Sequence, residues 1–190
     1  MRFEPWVGSD WGKPENTLGG KKVLILGESH YNNEDEWTNR CDPDATRNVI
    51  RTYALQGRHA FFSKLLHVLG GKPRWSLTQS EVDAFWQSVA FYNFVPVFVG
   101  NDNRIAPNTE MFTSGVAPFR AVLAELEPEH IIVCGYRLWS ALLVSMKNSV
   151  QTNLDGHGAI EGVPALRMQH PSTGFAMNDW KKTLQEFLRV

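Results

Sequence analysis

Three short stretches of the chain carry side chains able to do chemistry, and each follows an apolar run. Gly27-Glu28-Ser29-His30-Tyr31 sets a carboxylate, a hydroxyl, an imidazole and a phenol in succession behind one glycine. Phe91-Tyr92-Asn93 ends on an amide, which holds donors and an acceptor in one side chain. His170-Pro171-Ser172 places an imidazole before a proline, and the Pro171 ring biases His170 toward extended backbone. These residue types are capable of proton transfer at Glu28 and the histidines, nucleophilic attack by Ser29 if a base stands beside it, and hydrogen-bond reading of a polar ligand by Asn93. They also have plainer uses. Asn93 could cap backbone groups at a strand end, His170 could be a hydrogen-bonded structural histidine, and Tyr31 a packing aromatic.

The elements that must position them can be read from the apolar pattern. Lys22 to Leu26 is a short aliphatic run between Gly19-Gly20 and Gly27. That is how a strand buried on both faces of a parallel sheet reads, and its polar exit falls at the carboxyl edge, where open α/β folds build their sites. Val89–Asn93, His130–Cys134 and Val163–Met168 read as three further strands, with Pro96 ending regular pairing soon after Asn93. Helices are expected over Thr46–Leu55, around Phe61, Phe62, Leu65, Leu66 and Leu69, from the capping box Thr78–Glu81 to Ser88, over Ser114–Leu126, after Gly135, and after an Asn178 cap. Residues 32–44 form a long polar connection, Asn101–Asn103 a turn and Asn153–Gly162 a loop. Strands alternating with helices give an α/β fold, a three-layer α/β/α sandwich around a mostly parallel four-stranded sheet. The expectation is one domain over 1–190, with an irregular arm at 1–20 pinned by Trp6 and Trp11 and a core at 21–190.

Composition narrows the function classes. The 190 residues are 43% hydrophobic with seven tryptophans, as in a globular domain with a real core. A net charge of −1 neither favours nor excludes a polyanion. Between Arg40 and Arg74, seven cationic residues (Arg40, Arg47, Arg51, Arg58, Lys64, Lys72, Arg74) stand against Asp42 and Asp44, either a patch for DNA or the solvated faces of two helices. With only Cys41 and Cys134 there is no disulfide framework and no four-cysteine zinc or iron–sulfur site, so no cofactor and no iron–sulfur cluster is expected. The start lacks the apolar region of a signal peptide and no run approaches the ~20 apolar residues of a membrane helix. A soluble cytoplasmic protein without a membrane partner is expected.

The order and spacing of the three stretches resemble the uracil-DNA glycosylase superfamily, in which a glycine-led motif follows the first strand, an asparagine often ends the second, and His-Pro-Ser follows the last. The similarity runs from about Lys22 to Leu188 and includes Pro128 to Gly135 with Leu142-Leu143. It implies a monomer that flips a uracil-like, deaminated or modified base from DNA, hydrolyses its N-glycosidic bond and leaves an abasic site. His170 would donate to the departing base, Asn93 would read its edge, Tyr31 would crowd the carbon that bears thymine's methyl, and Ser172 would touch a DNA phosphate. No lysine lies in the three motifs to form a Schiff base, so strand cleavage is not expected.

The chain also departs from the family. Typical members read Gly-Gln-Asp-Pro-Tyr, and the aspartate positions water; here Ser29 takes the aspartate's place and His30 the proline's. Glu28 resembles the glutamate of the iron–sulfur branch (Gly-Glu-Ala-Pro-Gly), whose four cysteines are missing here. Glu28 is the candidate replacement carboxylate, although strand neighbours alternate and its side chain could point away. Ser29 is the candidate for orienting water, and His30 joins the base-binding set. The family's intercalating leucine falls on Gly174, leaving Phe175 or Met177 as wedge. Trp37 and Tyr53 are the candidates to stack on the base.

Two other classes compete. Gly27-Glu28-Ser29-His30 also resembles the Gly-Asp-Ser motif of SGNH esterases, with Ser29 as nucleophile, Gly100-Asn101-Asp102 as a faint third block and Asp155-Gly156-His157 as acid and base, one residue short of that family's spacing. A nucleic-acid-binding protein that kept the fold and lost the chemistry is the third reading.

Overall fold

The computed structural model describes residues 2–32, 34–102, 104–153, 155–172 and 174–189. One mixed sheet of seven strands runs through it: β1 (Trp6–Val7), β2 (Val23–Gly27), β3 (Ala90–Asn93), β4 (His130–Cys134), β5 (Val150–Thr152), β6 (His157–Ile160) and β7 (Val163–Met168), in the spatial order β1-β3-β2-β4-β7-β6-β5. The central four, β3-β2-β4-β7, are parallel. β1 pairs antiparallel with β3, and β6 antiparallel with both β7 and β5.

The four apolar runs therefore become the parallel centre, and the four-stranded expectation is corrected by three short strands at the sheet's two sides. The arm at 1–20 is not wholly irregular. Trp6 and Val7 pair with Phe91 and Ala90, and the Trp6 indole N–H donates to the Trp86 carbonyl at 2.8 Å. The segment Asn153–Gly162, expected as loop, contains β6, which forms a hairpin with β7 closed by Glu161 and Gly162, both at positive φ.

The helices are α1 (Ala45–Val49), running on as a π-helix over Ile50–Gln56, then α2 (Ala60–Gly70), α3 (Gln79–Gln87), α4 (Thr109–Leu126), α5 (Tyr136–Ser145) and α6 (Met177–Phe187). The expected capping box is present, with Thr78 accepting from the Glu81 amide and Glu81 accepting from the Thr78 amide. α4 starts five residues before Ser114, because the Asn108 side chain accepts from the Met111 amide at 2.9 Å. α6 is not capped by Asn178. Ala176 holds the cap position without a side-chain bond, and Asn178 lies inside the first turn. In the expected 101–103 turn the Ile105 amide donates to the Asp102 carbonyl at 3.0 Å; Asn103 lies outside the described residues.

Alternation along β2 divides the core. Val23 and Ile25 pack with Phe61, Phe62, Trp86 and Leu184 of α2, α3 and α6, whereas Leu24 and Leu26 pack with Phe119 and Val122 of α4 and Leu138 and Trp139 of α5. All four β2 side chains are fully buried, each contributing roughly 1.5–3 kcal/mol of apolar burial. Pairing also continues past the strand ends. The Phe94 and Val95 amides donate to the Gly27 and Glu28 carbonyls, and the Val99 amide to the His30 carbonyl at 3.0 Å, so residues 28–30 and 94–99 run on side by side. Among the described residues no helix is long and apolar enough to cross a membrane.

Candidate active site at the carboxyl edge of the sheet

Because the central strands are parallel, their carboxyl ends fall on one edge. Asn93 stands opposite Gly27 in the register of β3 and β2, and Gly135 and His170 follow the adjacent ends of β4 and β7. Gly27 is required by space rather than by backbone conformation. A Cβ there would lie 2.0 Å from Asn93 Oδ1 and 3.0 Å from Phe91 Cζ.

Asn93 is 6% exposed and is held by its donor end. Its Nδ2 donates to the Ser29 carbonyl at 3.0 Å and lies 3.2 Å from His30 Nδ1. A carbonyl only accepts, so the atom facing it is the amide nitrogen, and His30 Nδ1 is consequently an acceptor. The backbone-capping use of Asn93 is thus realised by half of its amide. The other half, Oδ1, accepts no hydrogen bond among the described residues and packs against Gly27.

His30, expected to touch the base, is instead buried behind Asn93. Its ring packs edge-on against Phe3, with centroids 4.6 Å apart, and its Nε2 lies 2.8 Å from the hydroxyl of the fully buried Thr46. Burial alone holds its pKa down to about 3, so the imidazole is neutral with its proton on Nε2. The reason for the difference is the arm: Phe3 folds over the ring and closes it off from solvent.

His170 is half-buried beside Phe61, with ring centroids 5.1 Å apart. The Ser172 amide donates to its Nδ1 at 3.3 Å, which puts the proton of the neutral ring on Nε2. Its pKa lies below the ordinary histidine value. Burial is the main cause, the Glu28 carboxylate opposes it, and Arg137, His59 and Lys64 push further down. Gly135 lies beside this ring and is required by its backbone rather than by space: its φ is 124°, whereas a Cβ there would make only ordinary contact with His170 Cδ2 at 3.6 Å.

Glu28 forms a two-point ion pair with Arg137 at the start of α5, with Nε to Oε2 at 2.8 Å and Nη2 to Oε1 as the second bond. Its side chain is 10% exposed, and Arg137's is 55% exposed. Glu28 thus lies on the α5 side, as alternation allows, yet close enough for its charge to act on His170. The Ser29 hydroxyl donates to the Tyr31 hydroxyl at 3.1 Å, which in turn donates to the Ile105 carbonyl at 3.0 Å, and Tyr31 also reaches Arg137.

Neither family models nor curated proteins match the chain.

The remaining expected residues are distributed around this edge. Ser172 is exposed and uses its amide to orient His170. Phe175 stacks on Trp180 at 6.1 Å with Lys64 Nζ 5.8 Å from its ring, and Met177 packs against the same core. Trp37 packs on Phe98 and donates to Glu34, while Tyr53 is 48% exposed and meets His59 edge-on. The Arg40–Arg74 cations divide. Lys64 donates to the Pro171 carbonyl at 2.7 Å, Arg47 pairs with Asp44, and Lys72 and Arg74 bind Glu81 and Gln79 of α3. His157, the base of the esterase reading, lines a cavity with Lys21, Glu129 and His130. Three contributors were missed in the sequence: Arg137, Thr46 and Phe61. Arg137 is 109 residues from Glu28, and Phe61 reads there only as part of an apolar helix face.

Proposed function

We propose that the chain is a monofunctional DNA glycosylase of the uracil-DNA glycosylase type, whose three-layer core is built on β3-β2-β4-β7 and which acts as a cytoplasmic monomer on a base flipped from DNA. The observation that carries this reading is the tautomer of His170. The Ser172 amide donates to Nδ1 of this ring, which leaves its proton on Nε2, and the ring stands at the same strand edge as Asn93.

Breaking an N-glycosidic bond leaves negative charge on the base and an oxocarbenium-like sugar. A neutral imidazole donor strengthens its hydrogen bond as the base oxygen becomes anionic, and Arg137 and Lys64 add positive potential around it. Glu28 supplies the carboxylate that typical members carry one position later. Arg137 fixes its direction, leaving lone pairs to hold a water against the sugar. Ser29 spends its proton on Tyr31 and keeps its own lone pairs for the same water. Phe61, against both His170 and Phe91, is the aromatic wall on which the base rests, in preference to Trp37 or Tyr53.

The test is a panel of single- and double-stranded oligonucleotides carrying uracil, hypoxanthine, xanthine and modified pyrimidines, scored for abasic sites by alkaline cleavage. Excision of at least one, without strand cleavage before alkali, is expected. Binding that weakens with salt but yields no abasic site from any substrate would mean a nucleic-acid-binding protein instead.

A further inference from the structure

Asn93 has one amide, and the fold has already committed its donor end. Both Nδ2 hydrogens have partners, the Ser29 carbonyl at 3.0 Å and His30 Nδ1 at 3.2 Å. The second bond exists only while His30 keeps Nδ1 unprotonated, and that is secured from behind, where Nε2–H donates to Thr46 Oγ1 at 2.8 Å. Thr46 and His30 are 0% and 4% exposed, and the ring is wedged between Phe3 and Phe98. A flip of the Asn93 amide would set its oxygen against the Ser29 carbonyl oxygen and against an unprotonated ring nitrogen. Both contacts are repulsive, and two buried hydrogen bonds would be lost.

We infer that Thr46 and His30 are positioning residues that lock Asn93 as a pure hydrogen-bond acceptor, so that the site selects bases by an N–H on the edge facing Asn93 and does not read the neighbouring carbonyl. This rests on the proposed base-reading role of the site and deepens it. An asparagine with a disengaged amide reads a donor and an acceptor together, as on the N3–H and O4 of uracil. With Nδ2 withdrawn, only the N–H contact remains. The ligand class is therefore any nucleobase with an imide or lactam N–H at that position, including uracil and hypoxanthine. Replacing its O4 by a poor acceptor leaves affinity unchanged, and methylating the nitrogen removes it.

Two measurements on the full chain test this, neither requiring catalysis. The first is the His30 tautomer, from long-range 1H–15N correlations of ring-labelled protein. Nε2 protonated and Nδ1 bare is expected in the wild type. In Asn93→Asp, whose carboxylate has no donor to offer, Nδ1 should take the proton. A wild-type ring protonated on Nδ1 overturns the lock. The second is NMR titration of the Asn93 side-chain amide with free uracil, 4-thiouracil and 3-methyluracil. Uracil and 4-thiouracil should bind within about twofold of each other, and 3-methyluracil at least about tenfold more weakly, the size of one lost hydrogen bond plus a clash. In Thr46→Val the ring loses its anchor, and the preference for uracil over 3-methyluracil should shrink several-fold. An equal loss for 4-thiouracil and 3-methyluracil overturns the acceptor-only reading. If no base binds although the tautomer is as expected, base reading at Asn93 falls while the Thr46–His30–Asn93 chain stands, which separates the two claims.

Discussion

The two ends of the central strands are chemically alike in composition and unlike in organisation. At the carboxyl edge stand His30 and His170 with the Glu28–Arg137 pair; at the amino edge stand His130 and His157 with Lys21 and Glu129 around a cavity of about 420 Å³. Each carboxyl-edge histidine has a polar partner that fixes its tautomer, Asn93 and Thr46 for His30 and the Ser172 amide for His170. At the amino edge both rings pack edge-on against Phe187, and His130 Nδ1 is buried with no partner among the described residues. Glycines add a second difference. Gly27 clears space for Asn93, which a side chain there would crowd, and Gly135 beside His170 takes a φ of 124° that favours glycine. A histidine becomes chemically directed when a hydrogen bond decides which nitrogen carries its proton, and among the described residues only the carboxyl edge does this.

Substitutions can break or sharpen that contrast. The largest effect is expected for Gly27→Ala, whose Cβ displaces Asn93: a fall in excision of at least about 10²-fold, as for a misplaced reacting geometry, with roughly 1–3 kcal/mol of stability lost to overpacking. Single-turnover rates and denaturant midpoints measure both, and an unaffected rate would show that Asn93 is not in the site. Next comes Glu28→Gln, for which a roughly tenfold slower excision is expected, about 1.4 kcal/mol of transition-state stabilisation. An unchanged rate would remove Glu28 from the mechanism and leave it only as Arg137's partner.

The pH dependence follows from lowered pKa values. His30 is held to about 3 by burial, and His170 and His130 are also lowered, burial being the first cause in each. The unfolded chain therefore binds more protons than the folded one below about pH 6.5, so stability is fully present above that pH and is lost as pH falls toward the folded values. Thermal melts should show Tm dropping between pH 7.5 and 5, with a shallower drop in His30→Asn. A pH-independent Tm would contradict a neutral buried His30. The smallest effect belongs to the amino edge. His130→Leu should leave excision within about twofold and raise stability by about 1 kcal/mol, because it removes an unpartnered buried nitrogen. Loss of excision in that variant would erase the distinction between the edges.

What could be read from the sequence tracks how local its cause is. The four central strands were legible because each is built on a short, mostly apolar run, broken in β7 by Arg167, and the α3 capping box because its partners are three residues apart. β5 and β6 were not, since Val150–Thr152 is largely exposed and too short to show alternation. Gly27, Asn93 and His170 could be placed because each ends or follows a strand. The orientation of His30 could not, because it depends on Phe3, 27 residues earlier, and on Thr46, 16 residues later. Glu28 was legible as a carboxylate at the right edge, but not as half of a pair with Arg137.

The central claim is that His170, with its proton on Nε2, stabilises a departing base. It is tested most directly by single-turnover release of the base from the best oligonucleotide substrate by wild type and His170→Ala, with folding of both checked by thermal melt. Removing such a donor is expected to slow release by roughly 10²–10³-fold while DNA affinity stays within a few-fold. Release at the wild-type rate by a folded His170→Ala protein would contradict the account.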